Sequence, residues 1–373
     1  MNIYELVRNI HVLANTRVNG YIKPFMIVGA PGCGKTTILE SEFAAAWSKL
    51  TKRPTDVIVE ILSNKEAPDV RGLPVVHRQE GHPTVYRYAM PDLFDRVRRS
   101  PCYDGGNVLV ILDEFTKCDL SLQKVAADLV QNYRIGEYTL PENVWFVLTG
   151  NRQQDNSGES KQLAMLTNRL PRFNVELPIE DWTRHARSIS LPPTCIAFAE
   201  RFPTHFAEAV PPRDGAFCTY RSFTEFSKYL KAYNDLNNKE LSHVEDNTFT
   251  RNLAYGMVGE SAALEFFAFA KVAESLPTRK EIITSPDTAP VPDQWQLDAQ
   301  YAATNMAVAI AMADPIDANP AIRYIMRLPT IELTVKAMVE LNKHCGGAIT
   351  MNNPEAARWL SQHKALVFDA NIG

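Results

Sequence analysis

The chain lacks any apolar run of the roughly 18–20 residues that a membrane-crossing helix needs, so a bilayer span is excluded. Its opening stretch, Met1 to Ile10, intersperses polar groups with apolar ones and holds no continuous apolar core of the kind a secretory signal carries, so none is expected. Paired cysteines are missing as well. The six present, Cys33, Cys102, Cys118, Cys195, Cys218 and Cys345, include no C-x-x-C pair and no accompanying histidine cluster. That speaks against structural zinc and a disulfide framework, and for reduced thiols in a cytoplasmic protein. Excess positive charge is also absent: 39 Lys and Arg against 43 Asp and Glu leave a net charge of −4. An overall polycationic nucleic-acid coat is thereby excluded, though a local basic lining is not. There is no internal repeat and no low-complexity tract. What is there is an ordinary globular composition, 45% hydrophobic and 22% charged over 373 residues, enough for two or three domains.

The first half alternates between two patterns. Phe25–Val28, Val57–Leu62, Val108–Leu112 and Val144–Thr149 are short apolar or β-branched runs, with helical stretches between them. Apolar residues at successive positions mark strands buried on both faces, so a parallel sheet covered by helices is predicted. A helix from about Thr36 to Leu50 follows the first strand. Beyond Pro178 helical periodicity takes over. Phe223, Phe226, Tyr229 and Leu230 share one helix face, and Ile331, Val335, Met338 and Leu341 another. Pro277, Pro286, Pro290 and Pro292 mark an irregular connection.

Between the first strand and its helix runs Gly29-Ala30-Pro31-Gly32-Cys33-Gly34-Lys35-Thr36, followed by Thr37. It matches G-x-x-x-x-G-K-[ST] in the strand–loop–helix context the pattern needs. Glycines let backbone N–H groups turn toward phosphate oxygens, and the helix N-terminus adds its positive dipole end. Lys35 is placed to reach the β- and γ-phosphates of ATP, and the Thr36 hydroxyl to ligate Mg²⁺. Cys33 reads as a small residue that fits the turn. The strand at 108–112 ends in Asp113-Glu114. Asp113 is a candidate to hold Mg²⁺, and Glu114 a candidate general base for an attacking water. Hydrolysis, as opposed to binding, rests mainly on Glu114. The next strand ends in Thr149-Gly150-Asn151, where the Asn151 amide can orient that water. Arg169 and Arg172 are candidates for a finger that stabilises charge on a γ-phosphate held by a neighbouring subunit.

Taken in order, these pieces resemble an AAA+ ATPase: Gly29–Thr36 as Walker A, Leu109–Glu114 as Walker B, Asn151 as sensor 1, Arg169 or Arg172 as finger, and Thr219–Phe223 as sensor 2, with Arg221 facing the γ-phosphate. The MoxR-like branch is the closer likeness. Asp69–Pro74 is similar to the segment opening that branch's insertion into helix 2; Val75–Tyr88 reads as a hairpin around Gly81, and Ala89–Phe94 resumes the helix. Arg134–Pro141 is similar to the run ahead of sensor 1, and Met257–Phe267 resembles a lid helix of phage and bacterial members. The sequence departs from the branch at Tyr220, which stands where Pro is usual before sensor 2, so Arg213 competes with Arg221 for that role. The metal-site pattern of a von Willebrand factor A domain is absent, so such a partner would be a separate chain.

The resemblance implies an α/β P-loop core with a parallel sheet over residues 1–180, carrying the insert hairpin at about 70–88. An all-α lid over 181–275 and a helical C-terminal region over 276–373 follow. It further implies an ATPase using ATP and Mg²⁺, assembled as a homo-oligomeric, hexameric ring, with nucleotide between core and lid. Such a ring remodels a protein client or complex through axial hairpins, here bearing Arg71, His77, Arg78, Tyr86 and Arg87. Two other readings stay open. One is a DNA-associated ring, since basic and aromatic residues on one loop can neutralise phosphates and stack on bases. Arg96-Val97-Arg98-Arg99 would add to its basic surface, or else pair with Asp92 and Asp95. The other is a slowly hydrolysing, nucleotide-gated scaffold. The net negative charge favours a protein client.

Overall fold

The computed structural model describes residues 1–78, 84–135, 138–152, 169–206, 215–344, 353–364 and 366. The chain divides into two compact units, one over Met1–Pro178 and one taking up the chain at Ile179.

The strands of the first unit are β1 (Arg17–Val18), β2 (Tyr21–Ile22), β3 (Phe25–Val28), β4 (Thr55–Ile61), β5 (Pro74–His77), β6 (Val85–Tyr88), β7 (Asn107–Asp113), β8 (Arg134–Ile135), β9 (Tyr138–Thr139), β10 (Val144–Gly150) and β11 (Arg172–Asn174). Five of them form one all-parallel sheet in the order β11-β3-β10-β7-β4. The central strands obey the period-2 rule on two cores at once. Val108, Val110, Leu112, Phe146 and Leu148 feed the core on one side of the sheet; Leu109, Ile111, Trp145 and Val147 feed the other. That is why β7 is apolar from Val108 to Leu112 and β10 from Val144 to Leu148. The remaining strands form three small antiparallel hairpins, β1–β2, β5–β6 and β8–β9.

Helices of this unit are α1 (Tyr4–Arg8), α2 (Ile10–Asn15), α3 (Lys35–Ile38), α4 (Ala44–Thr51), α5 (Ala67–Arg71), α6 (Asp92–Arg99) and α7 (Leu120–Asn132). The helix expected after β3 is present as α3 and α4, joined by one π-helical turn at Leu39–Phe43 that the sequence did not announce. In that turn the Ser41 hydroxyl donates to the Thr37 carbonyl at 2.7 Å. Phe43 packs on Trp145 and Phe25, with ring centroids 5.2 and 5.8 Å away. The helix resuming after the hairpin starts at Asp92 rather than Ala89. Arg99 pairs with Asp95 as one alternative had it, but Arg96 instead reaches the buried Glu60 of β4 at 2.6 Å.

The described residues of the second unit contain helices and no strands. Phe198, Phe223, Phe226 and Phe266 make a ring-on-ring core, and Ile282, Ala303, Tyr324, Met338 and Leu341 a second apolar cluster. Several expectations need correction here. Tyr229 is 54% exposed and Ile331 42%, so burial on the two expected faces is carried by Phe223, Phe226 and Leu230 and by Val335, Met338 and Leu341. The stretch expected as one helix over Met257–Phe267 is broken at Gly259. The proline-rich connection contains a short helix, Arg279–Thr284, started by a capping box between Thr278 and Glu281. Four helices of this unit share a charged seam. The buried side chain of Arg187 donates to Glu340 Oε1 (2.6 Å) and Asn305 Oδ1 (2.7 Å), and Lys336 Nζ lies 3.3 Å from the buried Glu200 Oε1.

Candidate nucleotide site

β3 delivers the chain into the glycine loop at Gly29. Gly32 (φ 73°) and Gly34 (φ 77°) hold left-handed backbone, which L side chains resist, and this curls the loop over the first turn of α3. Space is the constraint at Gly29, where a Cβ would meet the Val175 carbonyl oxygen at 2.7 Å. Lys35, only 8% exposed, turns its ammonium back across the loop. Its Nζ donates to Gly29 O (3.0 Å), Ala30 O (2.9 Å) and Asn151 Oδ1 (3.0 Å), with Cys33 Sγ 3.9 Å away.

The acidic pair closes the same site. Thr36 Oγ1 donates to Asp113 Oδ2 at 2.9 Å, and Thr149 Oγ1 donates to Asp113 Oδ1. The backbone N–H of Glu114 donates to Asp113 Oδ1 (2.9 Å) and Thr149 Oγ1 (3.3 Å). The C-terminal ends of β3, β7 and β10 therefore meet through side chains. Glu114 itself adopts φ 57°, a strained conformation for a residue with a Cβ, at the turn where β7 ends. Its Oε1 accepts from Lys117 Nζ at 2.6 Å and its Oε2 from Ser63 Oγ. Behind them the Asn151 N–H donates to Thr116 Oγ1 at 3.0 Å. A Cβ at Gly150 would meet the Thr116 methyl at 2.3 Å, so only glycine fits there.

Sequence reasoning missed Ser63, Thr116, Lys117 and Thr149. Lys117 was within reach of it, standing three residues after Glu114; Ser63 is found only because β4 pairs with β7. The arginines fall elsewhere. Arg169 is exposed, and its Nη1 donates to Gln131 Oε1 of α7 at 2.6 Å. Arg172 extends from β11. Arg221 is exposed in the first turn of the helix Tyr220–Leu236 in the second unit, which starts from a Thr219–Ser222 capping box. Arg213 lies outside the described residues, as does Cys345.

No protein-family model matches the chain, and no curated protein matches it in sequence. Among solved structures it is similar to a point mutant of RuvB from Thermotoga maritima, at 11% identity and a TM-score of 0.39 over 77% of this chain and 78% of that one. It is similar to the ORC2 protein of Aeropyrum pernix at 13% identity and TM-score 0.42, over 98% and 86%. A third is ORC1 of the same organism, solved with DNA, at 13% identity and TM-score 0.38 over 85% and 84%. Overlaps of this size carry no information on substrate or partner.

The site's own chemistry suits a nucleotide with its cation. The left-handed glycines keep side chains out of the loop's inner curve, and the ammonium beside it donates hydrogen bonds to anions. Thr36 and Asp113 present a hydroxyl and a carboxylate, the hard oxygen donors that Mg²⁺ takes alongside phosphate. Among the described residues, no three His, Cys, Asp or Glu side chains cluster as a metal site.

The predicted hairpin is present as β5 and β6, in register from Pro74↔Tyr88 to His77↔Val85. Its turn around Gly81 lies outside the described residues. Seven of its eight strand residues are exposed, Tyr86 at 73%, so no core holds it. Its neck is held instead: the Arg71 guanidinium lies 4.6 Å over the Tyr88 ring, and the Ala89 N–H donates to Leu73 O at 2.8 Å.

Proposed function

We propose that the protein is a Mg²⁺-dependent ATPase of the AAA+ kind, MoxR-like, that works as a homo-oligomeric ring and remodels a protein client or complex. The observation that carries it is the convergence of Lys35, Thr36, Asp113 and Asn151 at the ends of three parallel strands. In this reading the loop N–H groups and the Lys35 ammonium take the β- and γ-phosphates, exchanging neutral carbonyl acceptors for anionic ones that bind roughly twice as strongly. Thr36 and Asp113 hold Mg²⁺, which when bound supplies charge neutralisation at the phosphates. Asn151 orients the attacking water and Glu114 accepts its proton. Its Oε1 accepts from Lys117 Nζ at 2.6 Å, so Glu114 has to part from Lys117 to do this. Arg169, with Arg172 as rival, serves a neighbouring subunit's site, and Arg221 takes the sensor 2 role that its motif implies.

The hairpin supports the client half of the reading, because Val75, Val76, Val85 and Tyr86 offer exposed apolar surface. The same hairpin favours a second reading, a ring on nucleic acid, through Tyr86 beside Arg87 and Arg78. ATP turnover with Mg²⁺, measured with and without DNA, tests both. Lys35→Ala is expected to abolish nucleotide binding. Glu114→Gln is expected to keep binding and to lower turnover by at least about a hundredfold, the scale of a lost general base. Wild-type turnover in both variants would overturn Lys35 and Glu114 as the site of the chemistry, and no turnover in the unaltered protein would sink the ATPase assignment. Stimulation by DNA that fades steeply with salt would put the nucleic-acid reading first.

A further inference from the structure

We propose that Gln131 is a positioning residue for Arg169, holding the guanidinium in place through a neutral hydrogen bond that leaves its charge uncompensated. The proposal rests on the shared-site reading above.

Some arginines among the described residues are held by carboxylates: Arg99 by Asp95, Arg184 by Asp181, Arg251 by Asp246 and Arg323 by Asp287. Such pairing fixes the side chain and also cancels its charge. Arg169 is held differently, by the amide oxygen of Gln131 at 2.6 Å. Arginine has only donors, so the amide must turn its oxygen toward it. That orientation leaves Gln131 Nε2 buried with no acceptor among the described residues. An unsatisfied buried donor is unfavourable and calls for a reason. The contact with Arg169 is what this amide orientation gains.

Both ends of the bond are anchored. Gln131 sits in the last turn of α7, whose Leu129 and Val130 are wholly buried. Arg169 is followed by Leu170, buried in the same core, and by Pro171, whose carbonyl accepts from the Met26 N–H of β3 at 2.9 Å. A charge acting on a transferring phosphoryl group in another subunit needs this combination. A side chain ordered beforehand keeps the entropy of ordering out of the barrier, and an uncompensated charge keeps the full electrostatic effect. A carboxylate at 131 would provide the first and remove the second.

The test uses the full-length chain and three variants: Gln131→Glu, Gln131→Met, which keeps length and packing, and Arg169→Ala as reference. Each is assayed for ATP affinity, oligomer size and turnover, and then mixed with Glu114→Gln subunits. ATP affinity and assembly should match wild type in all three. Turnover should fall about tenfold in Gln131→Met, through lost positioning. In Gln131→Glu it should fall close to the level of Arg169→Ala, on the scale of about a thousandfold for a lost finger. Mixing should restore activity to Gln131→Glu, because its own base is intact and the Glu114→Gln neighbour lends it an unpaired Arg169. Loss of turnover in Arg169→Ala with wild-type turnover in both Gln131 variants overturns the positioning role alone. Wild-type turnover in Arg169→Ala overturns it together with Arg169 as finger. Equal falls in ATP affinity and turnover in Gln131→Met would mark a structural residue and overturn it as well.

Discussion

At the residue scale, the chemistry of the loop was written in the sequence and its wiring was not. A motif names Lys35, Thr36, Asp113 and Asn151 because backbone geometry ties each to a fixed offset from a strand end. It does not name Ser63 or Thr149, which reach Glu114 and Asp113 only because the sheet lays β4 and β10 on either side of β7. The cysteines show the converse. Their expected reduced state fits the free thiols at Cys33, Cys102, Cys118, Cys195 and Cys218, while their depth had no sequence signal. Burial pushes the thiols of Cys118, Cys195 and Cys218 up to about 12 from an ordinary 9.0. The folded chain thus keeps protons that the unfolded chain releases. Their contribution to stability is complete below about pH 9 and declines as pH rises toward 12. Denaturant midpoints at pH 8 and pH 10.5 should show that decline, and Cys195→Ala should lessen it. In the native protein at pH 8 these three thiols should resist alkylation.

Elements were legible in proportion to how far local pattern alone decides them. β3, β7 and β10 could be read almost residue by residue, since strands buried on both faces carry continuous apolar runs. β11, three residues long with two of them exposed, had no such pattern, and its place beside β3 is set by tertiary pairing. The π turn in the loop helix and the break at Gly259 likewise come from packing and backbone geometry rather than periodicity. The hairpin was anticipated, and its neck yields a prediction. Gly72 has φ 85°, and a Cβ there would meet the Ala89 carbonyl oxygen at 2.1 Å. Gly72→Ala should therefore splay β5 from β6, while the site at the sheet ends stays intact. Nucleotide affinity is expected to hold, with client or DNA stimulation lost. Tyr86→Ala should give the same functional loss without change in melting temperature, because the ring stands in solvent; a drop of more than about 4 °C would contradict this.

Across the whole molecule, composition foretold a globular chain with several cores, and the contact pattern gives two units with a seam of charge in the second. The group of Arg187 with Glu200 and Glu340 could not be foreseen, since the three stand on three different helices and Glu340 lies far along the chain from the other two. Removing Arg187 takes the 2.6 Å partner from Glu340 and leaves the buried Glu200 with Lys336 as its remaining cation. Arg187→Ala should lower stability by about 3–5 kcal/mol, whereas Lys336→Ala, at the more exposed rim, should cost well under that. Thermal melts of the two variants separate these outcomes; equal losses would mean that the seam acts through packing. α7, in the first unit, reaches in its consequences beyond a single chain. It is a 13-residue rod, about 20 Å long, that begins six residues after Glu114 and carries Gln131 in its last turn. In the proposed ring this rod would run between two nucleotide sites, starting six residues past its own subunit's Glu114 and ending where Gln131 holds the arginine offered to the next.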